Sequence, residues 1–380
     1  NGFVWDDHFV ALSPANRSWS NVGAVLTSPD VLSTGQPTNY YRPLSRLLFL
    51  VDYQLFGLGA PGYHAMNVAA HLAVVLLTFA LARRLLNANE PAAIAALLVA
   101  VHPIHSEPVN LVTARNNMLA AAGVLASFLC YLRGRDDGRR GAYAWSAVAF
   151  FAGLLCKETA LMLLPLLVLM EATSGRRWRD VLASEGPALG SMAALAGVYL
   201  ALRGWVLHDA VGQWIAMGDP SRAAVNVLHG VPKYLSLLVW PWPLTLGYEE
   251  PVRYVTSPVV LVAAWTAIVV VVALLWRQRR PVSRLGLEWA ALNFVPVSTV
   301  IPFPSASMAE RYLRRALAVE ANDPEAHFNL AQVLERTARP EEAAYHYERF
   351  LERAADHAEV VGQVRARIER LRGSAPLGGR

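Results

Sequence analysis

His64-Ala-Met-Asn-Val-Ala-Ala-His-Leu-Ala-Val-Val-Leu-Leu-Thr-Phe-Ala-Leu-Ala82 is the stretch whose reading decides the fold, and Arg83-Arg84 follows it directly. A helix needs about 20 mainly apolar residues to cross the hydrocarbon of a bilayer. An apolar run closed by arginines is how such a helix meets the headgroups on one side. The pattern recurs at about 91–106, 118–132, 143–156, 159–172, 188–206, 258–276 and 285–302. With the first run these predict eight spans. Several are short, and 143–156 with 159–172 reads either as two spans or as one broken around Lys157-Glu158.

Composition agrees with a membrane bundle. The chain has 380 residues, 54% hydrophobic and 17% charged, against about 25% charged in soluble domains. Its mean hydropathy is +0.31. A net charge of +5 on one face would point to nucleic acid. Within the apolar part of the chain, residues 64–304, most arginines sit in short loops between the runs, so topology explains them and no nucleic-acid partner is expected. Cys130 and Cys156 fall inside apolar segments and read as buried thiols rather than a disulfide.

Four loops carry dense arginine: Arg83-Arg84, 133–140, 176–179 and 277–284, thirteen arginines in all. They fall in alternate loops, as the positive-inside rule requires of cytoplasmic ones. Residues 1–63, the 102–117 loop, the Lys157 turn and 204–257 then face the periplasm or lumen. An even number of spans returns the tail to that side. The 44–56 stretch reads as an amphipathic helix in the interface, and 223–246, with Pro232, Pro241 and Pro243, as a helix at the membrane surface.

After residue 304 the composition turns to Ala, Glu and Arg with helical periodicity. Asp323-Pro-Glu-Ala-His-Phe-Asn-Leu-Ala331, then Ala343, Tyr347 and Leu351, resembles one tetratricopeptide repeat. Ala309, Leu313 and Ala316 match the second helix of a repeat before it. The predicted organisation is therefore an extracytoplasmic loop over 1–63, a membrane domain over 64–304, repeat helices over 305–372, and a disordered tail over 373–380. The 356–372 helix caps the repeats. The fold class is all-α: a polytopic bundle followed by a short helical tail.

The polar motifs that interrupt the apolar pattern all fall on the arginine-poor side. They are Trp5-Asp6-Asp7-His8, Tyr40-Tyr41-Arg42-Pro43, His64 with Asn67 and His71, and His102-Pro-Ile-His105-Ser-Glu107. Arg115-Asn116-Asn117, Lys157-Glu158-Thr159 and Glu249-Glu250 complete the set. Ionisable groups at the ends of membrane helices are costly unless they pair, solvate or function. Adjacent carboxylates such as Asp6 and Asp7 can hold a divalent cation, or one can act as a general base; a turn or cap is the bland alternative. Arg42 and Arg115 suit bidentate grip on a phosphate or an ion pair. Lys157 and Glu158 either serve a site or pair with one another at a helix break. His102, His105 and Glu107 have the residue types of a metal site, but His-Pro-x-His is not a usual helical ligand spacing, and a solvated helix end fits as well.

Asn1-Gly-Phe-Val-Trp-Asp-Asp7, Tyr41-Arg-Pro-Leu44, Gly62-Tyr-His-Ala-Met-Asn67 and His71 recur in that order in one family. So do His102-Pro-Ile-His-Ser-Glu107, Arg115 with Leu119, Lys157-Glu158 and Ala309-Glu-Arg-Tyr312. The chain resembles the transmembrane and tetratricopeptide-repeat family, whose animal members are protein O-mannosyltransferases with the GT-C fold. The resemblance covers about residues 1–313. It implies a multi-spanning glycosyltransferase that takes a sugar from a polyprenyl- or dolichyl-phosphate donor and acts outside the cytoplasm. Membrane lipids surround it, and the repeats would bind a protein acceptor or partner. Asp7, with Asp6, would be catalytic. Arg42, Arg115, Lys157 or Arg311 would meet the phosphate, with Glu158 beside them and the 102–107 loop shaping the pocket. No cofactor is required by the resemblance; a divalent cation, if used, would sit at Asp6 and Asp7.

The chain departs from the family at Asn116-Asn117, where members carry an acidic residue. It also opens inside a loop, without the helix that precedes the acidic motif in the family. It passes from 309–313 directly into a repeat where the family carries further membrane helices, which reads as an internal deletion or a mis-joined gene fragment. Two rivals to the enzyme are a membrane-anchored repeat scaffold and a transporter of lipid-linked saccharide. The transporter would need charges along a path through the spans rather than at their ends.

Overall fold

A computed structural model describes residues 2–3, 7, 13–28, 40–207, 220–242, 258–278, 280–294, 313–314, 317, 321–336, 339–352 and 358–373. Asp6, His8, Glu249, Glu250, Arg311 and the 374–380 end lie outside them. The described residues form helices and turns with no strand. They divide into two compact units: residues 1–215 with 219–301, and residues 302–380 with 216–218.

The first unit begins with the short α1 (Val22–Thr27) and α2 (Pro43–Phe56). Then come α3 (Ala60–Leu86), α4 (Asn89–Val101), α5 (Ser106–Asn110), α6 (Arg115–Asp137) and α7 (Gly141–Cys156). Next are α8 (Leu163–Ala172), α9 (Trp178–Ser184), α10 (Gly186–Leu207), α11 (Pro220–Val239), α12 (Pro258–Arg277) and α13 (Pro281–Phe294). The organising stretch is the body of α3. Pro61 in its first turn donates no hydrogen bond the helix needs, and Arg83 and Arg84 in its last turn suit the negative end of the helix dipole. Asn87 closes it in the left-handed region, φ 51°, which asparagine tolerates better than most residues.

Among the described residues four helical segments are long and apolar enough to cross a membrane: Ala60–Leu86, Val112–Asp137, Gly186–Leu207 and Pro258–Arg277. Asn89–Val101 and Pro103–Asn110 pass together as a fifth, bent by 48°. The other three predicted spans form shorter helices: α7, a 3₁₀ turn at Glu158–Met162 with α8, and α13, whose C-terminal continuation lies outside the described residues. At 16 residues α7 is about 24 Å long, short of a roughly 30 Å hydrocarbon core. Such a helix need not match the lipid because its neighbours cover it: Phe150 and Leu154 of α7 and Leu163, Leu166 and Leu167 of α8 are buried against Phe128 and Tyr131 of α6 and Met192 and Tyr199 of α10. By contrast, α12 is apolar all round and has no buried residue, as a lipid-facing span requires.

Glycine lets α6 and α7 cross closely. A Cβ at Gly123 would lie 2.8 Å from the Gly153 Cα and 2.9 Å from the Ala149 carbonyl oxygen. Gly123→Ala must therefore push two backbones apart and is expected to cost about 1–3 kcal/mol. Thermal melts in detergent check this against Gly190→Ala on α10. There an added Cβ meets nothing within 4 Å, and stability should hold or rise.

The 44–56 stretch forms α2, packed on the bundle by one face. One side of α2 buries Ser45, Arg46, Phe49, Leu50 and Asp52, because its polar groups find partners inside the bundle. Ser45 donates to the Cys156 carbonyl at 3.3 Å and Arg46 to the Ser28 carbonyl at 3.2 Å.

The arginine loops meet at one end. Arg84 donates to Asp137 at 2.6 Å and Asp136 at 3.3 Å, across the α3 and α6 termini. Arg135 and Arg176 both reach the fully buried Glu171 at the end of α8, at 2.6 and 3.5 Å. Arg284 of α13 donates to the Thr173 carbonyl. Four loops far apart in sequence thus share one surface.

In the second unit, α14 (Pro324–Arg336) and α15 (Pro340–Leu351) form a helical hairpin, and α16 (Ala358–Gly373) packs on it through Val364 and Ile368. Ala331, Ala343, Ala344 and Tyr347 are buried between the helices, with Leu330 and Leu334 beside them. Small residues at 331 and 343 are what the repeat pattern calls for. The Tyr347 hydroxyl donates to Glu335 at 2.9 Å.

Candidate functional site

At the end of the first unit opposite the arginine loops, polar groups from six segments come together. The acidic loop docks there: Phe3 meets the Tyr63 ring edge-on at 5.2 Å and packs with Phe49 and Val112. Asp7 is fully buried, and its Oδ1 accepts the Thr113 backbone N–H at 2.9 Å. That bond fixes the carboxylate against the turn that opens α6.

One turn further, Asn117 of α6 accepts from the Lys157 ammonium. Glu158 does not pair with Lys157; it takes Arg42 in a bidentate grip, Nε to Oε2 at 3.3 Å and Nη2 to Oε1 at 2.9 Å. The Tyr40 ring lies under the Arg42 guanidinium, 4.3 Å from its Cζ. Burial works against the Glu158 charge, but Arg42 outweighs it and holds the carboxyl below the usual range. Burial, with the Arg42 charge adding to it, lowers the Lys157 ammonium from its ordinary value, partly opposed by Glu158 and Glu107.

The Glu158 shift has a pH consequence. A carboxylate depressed in the folded state adds stability above its unfolded value, about 4.3, and loses it as pH falls through the lower folded value. The difference in melting temperature between the wild type and Glu158→Gln should stay constant from neutral pH to about 4.3 and shrink only below it.

Arg115 is already engaged from within the protein. It is buried; Nη1 pairs with Asp52, Nε donates to the Asn67 Oδ1 at 2.6 Å, and Nη2 to the Tyr63 carbonyl at 3.0 Å. Asn67 in turn donates to the carbonyls of Val109 and Leu111, both at 3.1 Å. The guanidinium therefore ties α2, α3 and the 107–114 turns together, a positioning role.

The 102–107 loop is held by its own histidines. His102 Nδ1 accepts the Ile104 N–H at 3.2 Å, and Nε2 lies 3.0 Å from the Leu238 carbonyl. His105 packs against His71, ring centroids 5.7 Å apart, and His71 Nε2 lies 3.1 Å from the Ala100 carbonyl. Among the described residues no group of three or more His, Cys, Asp or Glu is placed to hold a metal ion.

Sequence reading missed Arg203. It sits near the end of α10, 4% exposed, beside the Tyr199 hydroxyl and within electrostatic reach of Glu158. The signal was present: an arginine inside an apolar span is a site residue by default. Arg42, Lys157 and Arg203 thus surround one carboxylate, Glu158, with Glu107 at the margin. That surplus of positive charge, at the same end of the unit as the buried Asp7 carboxylate, suits an anionic leaving group and a proton acceptor.

A family model described as dolichyl-phosphate-mannose-protein mannosyltransferase matches residues 43–202. The match contains the 102–107 loop, Arg115, Lys157 and Glu158; it begins directly after Arg42, and Asp7 lies ahead of it. Protein O-mannosyl-transferase TMTC3 of Homo sapiens is 31% identical over 212 residues, 53% of this chain and 22% of that protein. Protein O-mannosyl-transferase Tmtc1 of Drosophila melanogaster is 31% identical over 201 residues, 51% of this chain and 23% of that protein. Tmtc2 of the same organism is 34% identical over 215 residues, 51% and 22%. The chain spans about a fifth of the length of the curated relatives it matches. No solved structure matches.

Proposed function

We propose that this chain, TMTC-like through half its length, is a membrane glycosyltransferase that moves mannose from a polyprenyl- or dolichyl-phosphate donor to a hydroxyl on a protein acceptor. One observation carries the reading: Arg42, the Lys157-Glu158 turn and Arg203 come from separate elements and meet at the end where Asp7 is held to the turn before α6, away from the arginine loops. An anchor needs one span and no such convergence, which argues against the scaffold alternative.

In the reaction the acceptor oxygen bonds to the anomeric carbon as the bond from that carbon to the phosphate oxygen breaks. The phosphate leaves with the electron pair, and the acceptor proton passes to Asp7. Arg42 and Arg203 meet the departing charge. Lys157, whose ammonium is disfavoured by burial and by Arg42, is held protonated by an arriving phosphate. Asp7 has no exposed surface, so acceptor binding requires a local opening around it. Asp6 and Arg311, outside the described residues, keep the roles the resemblance implies: partner to the base and contact to the phosphate.

The positive-inside asymmetry supports a site in the periplasm of a bacterial inner membrane or the lumen of the endoplasmic reticulum, and an even number of spans would return the repeat-like tail to the same compartment, where it would bind a protein acceptor or partner.

The test is transfer by the purified chain from polyprenyl-phosphate mannose to a serine- and threonine-containing peptide, with and without EDTA. Transfer that survives EDTA supports Asp7 as the base. Loss on chelation, restored by magnesium, moves Asp6 and Asp7 to metal binding. Absence of transfer by a protein that melts cooperatively overturns the enzymatic reading.

A further inference from the structure

A concavity beside the α3 and α6 termini lies at the arginine end, away from Asp7. It has a volume of about 530 Å³. Its floor is apolar, built from Phe79 and Ala80 of α3 and Leu129 of α6. Its rim is cationic, with the exposed Arg83 and Arg133 facing it from the two helices. Arg84 is already engaged by Asp136, Asp137 and the Leu132 carbonyl, and Asp136 is also held by Arg135 at 2.9 Å. The carboxylates at this rim are thus neutralised from within, and the charge offered to an incoming group is positive.

The floor continues along the membrane. Leu72 and Leu76 of α3 are 54% and 67% exposed, and with Phe79, Ala80 and Arg83 they recur at three- and four-residue spacing, which is one stripe of the helix. Helix-dipole complementarity accounts for arginines near helix C-termini, but not for a cavity that joins them to an exposed leucine stripe. A free phosphate would satisfy the rim and leave floor and stripe bare. A neutral lipid would cover the stripe and leave the rim unmatched.

We propose that this cavity is a binding site for an anionic phospholipid, its phosphate between Arg83 and Arg133 and an acyl chain along Leu76 and Leu72. Basic recesses between membrane helices at the headgroup level are suited to such lipids. The site is separate from the transfer chemistry and stands or falls independently of it, since it needs only that α3 and α6 lie in a bilayer.

The test is the thermal melt of the full chain in a neutral detergent, with added phosphatidylglycerol, phosphatidylcholine or inorganic phosphate. Native mass spectrometry of the same samples counts retained lipid without reference to stability. Phosphatidylglycerol should raise the melting temperature by several degrees and remain bound, whereas the other two should do neither. Arg83→Gln with Arg133→Gln should lose most of that shift and of the retained lipid. Arg177→Gln with Arg179→Gln, the same charge change on an exposed loop at the same end, should keep both. Equal effects of phosphatidylcholine, equal effects of inorganic phosphate, or an unaltered response in the Arg83 and Arg133 variant would each overturn the proposal.

Discussion

Asp7→Asn is expected to lower mannose transfer by about 10²–10⁴-fold, the usual worth of a general base, without unfolding the protein. The substitution separates two jobs of one side chain. Asparagine has the same shape, and its Oδ1 can still accept the Thr113 N–H that now bonds to Asp7 at 2.9 Å. What it cannot do is carry away the acceptor proton. Asp7→Ala loses both functions and leaves a backbone N–H without its acceptor, at a cost of about 1–3 kcal/mol. The expected pattern is therefore a collapsed kcat in both variants, with a melting temperature near wild type only for asparagine. Transfer that continues unchanged in Asp7→Asn would remove Asp7 as the base and leave it as the docking point of the acidic loop.

The parts of this arrangement readable in advance were those written in local pattern. The 64–82 run became the body of α3, and Arg83 and Arg84 fell in its last turn because a long apolar helix must end in headgroups. The alternation of arginine loops carried through to geometry, with Arg84, Arg135, Arg176 and Arg284 meeting at one end. Span length was read less well. Periodicity cannot tell a helix covered by lipid from one covered by protein, so 143–156 and 159–172 read either as two short spans or as one broken span.

Partner choice was not legible, because it depends on contacts between distant segments. Arg42 is 116 residues from Glu158, and nothing local prefers that pairing to one between Lys157 and Glu158. Ser45, Arg46, Asp52 and Gln54 interrupt the apolar pattern of the 44–56 helix, which fits an interface as well as a buried face whose partners arrive from elsewhere. Arg203 was overlooked because a single arginine near the end of an apolar run resembles a snorkelling residue. Its burial beside Tyr199 and Glu158 is visible only once α10 is packed against α7 and the turn after it.

Arg115→Ala is expected to destabilise the protein by about 3–5 kcal/mol, because it strands the Asp52 carboxylate in a place that water does not reach. The two side chains are 3% and 1% exposed. The same guanidinium holds the Asn67 amide and the Tyr63 carbonyl, so its loss also loosens the first turns of α3 against the turn that carries Thr113. A phosphate-binding arginine would behave differently: its loss would raise KM for the lipid donor and leave the melting temperature nearly intact. The double replacement Asp52→Leu with Arg115→Met decides between these. Exchanging a buried ion pair for apolar groups of similar volume is often close to neutral, so the double variant should regain the share of stability lost to the stranded Asp52 charge, though not the share carried by the Asn67 and Tyr63 bonds. If Arg115 only positions the neighbouring elements, transfer should recover in step with that regained stability. Recovered stability with transfer still absent would return Arg115 to the substrate site. Arg42→Ala is the contrasting case: its pair with Glu158 is 13% and 15% exposed, so donor affinity should fall further than stability.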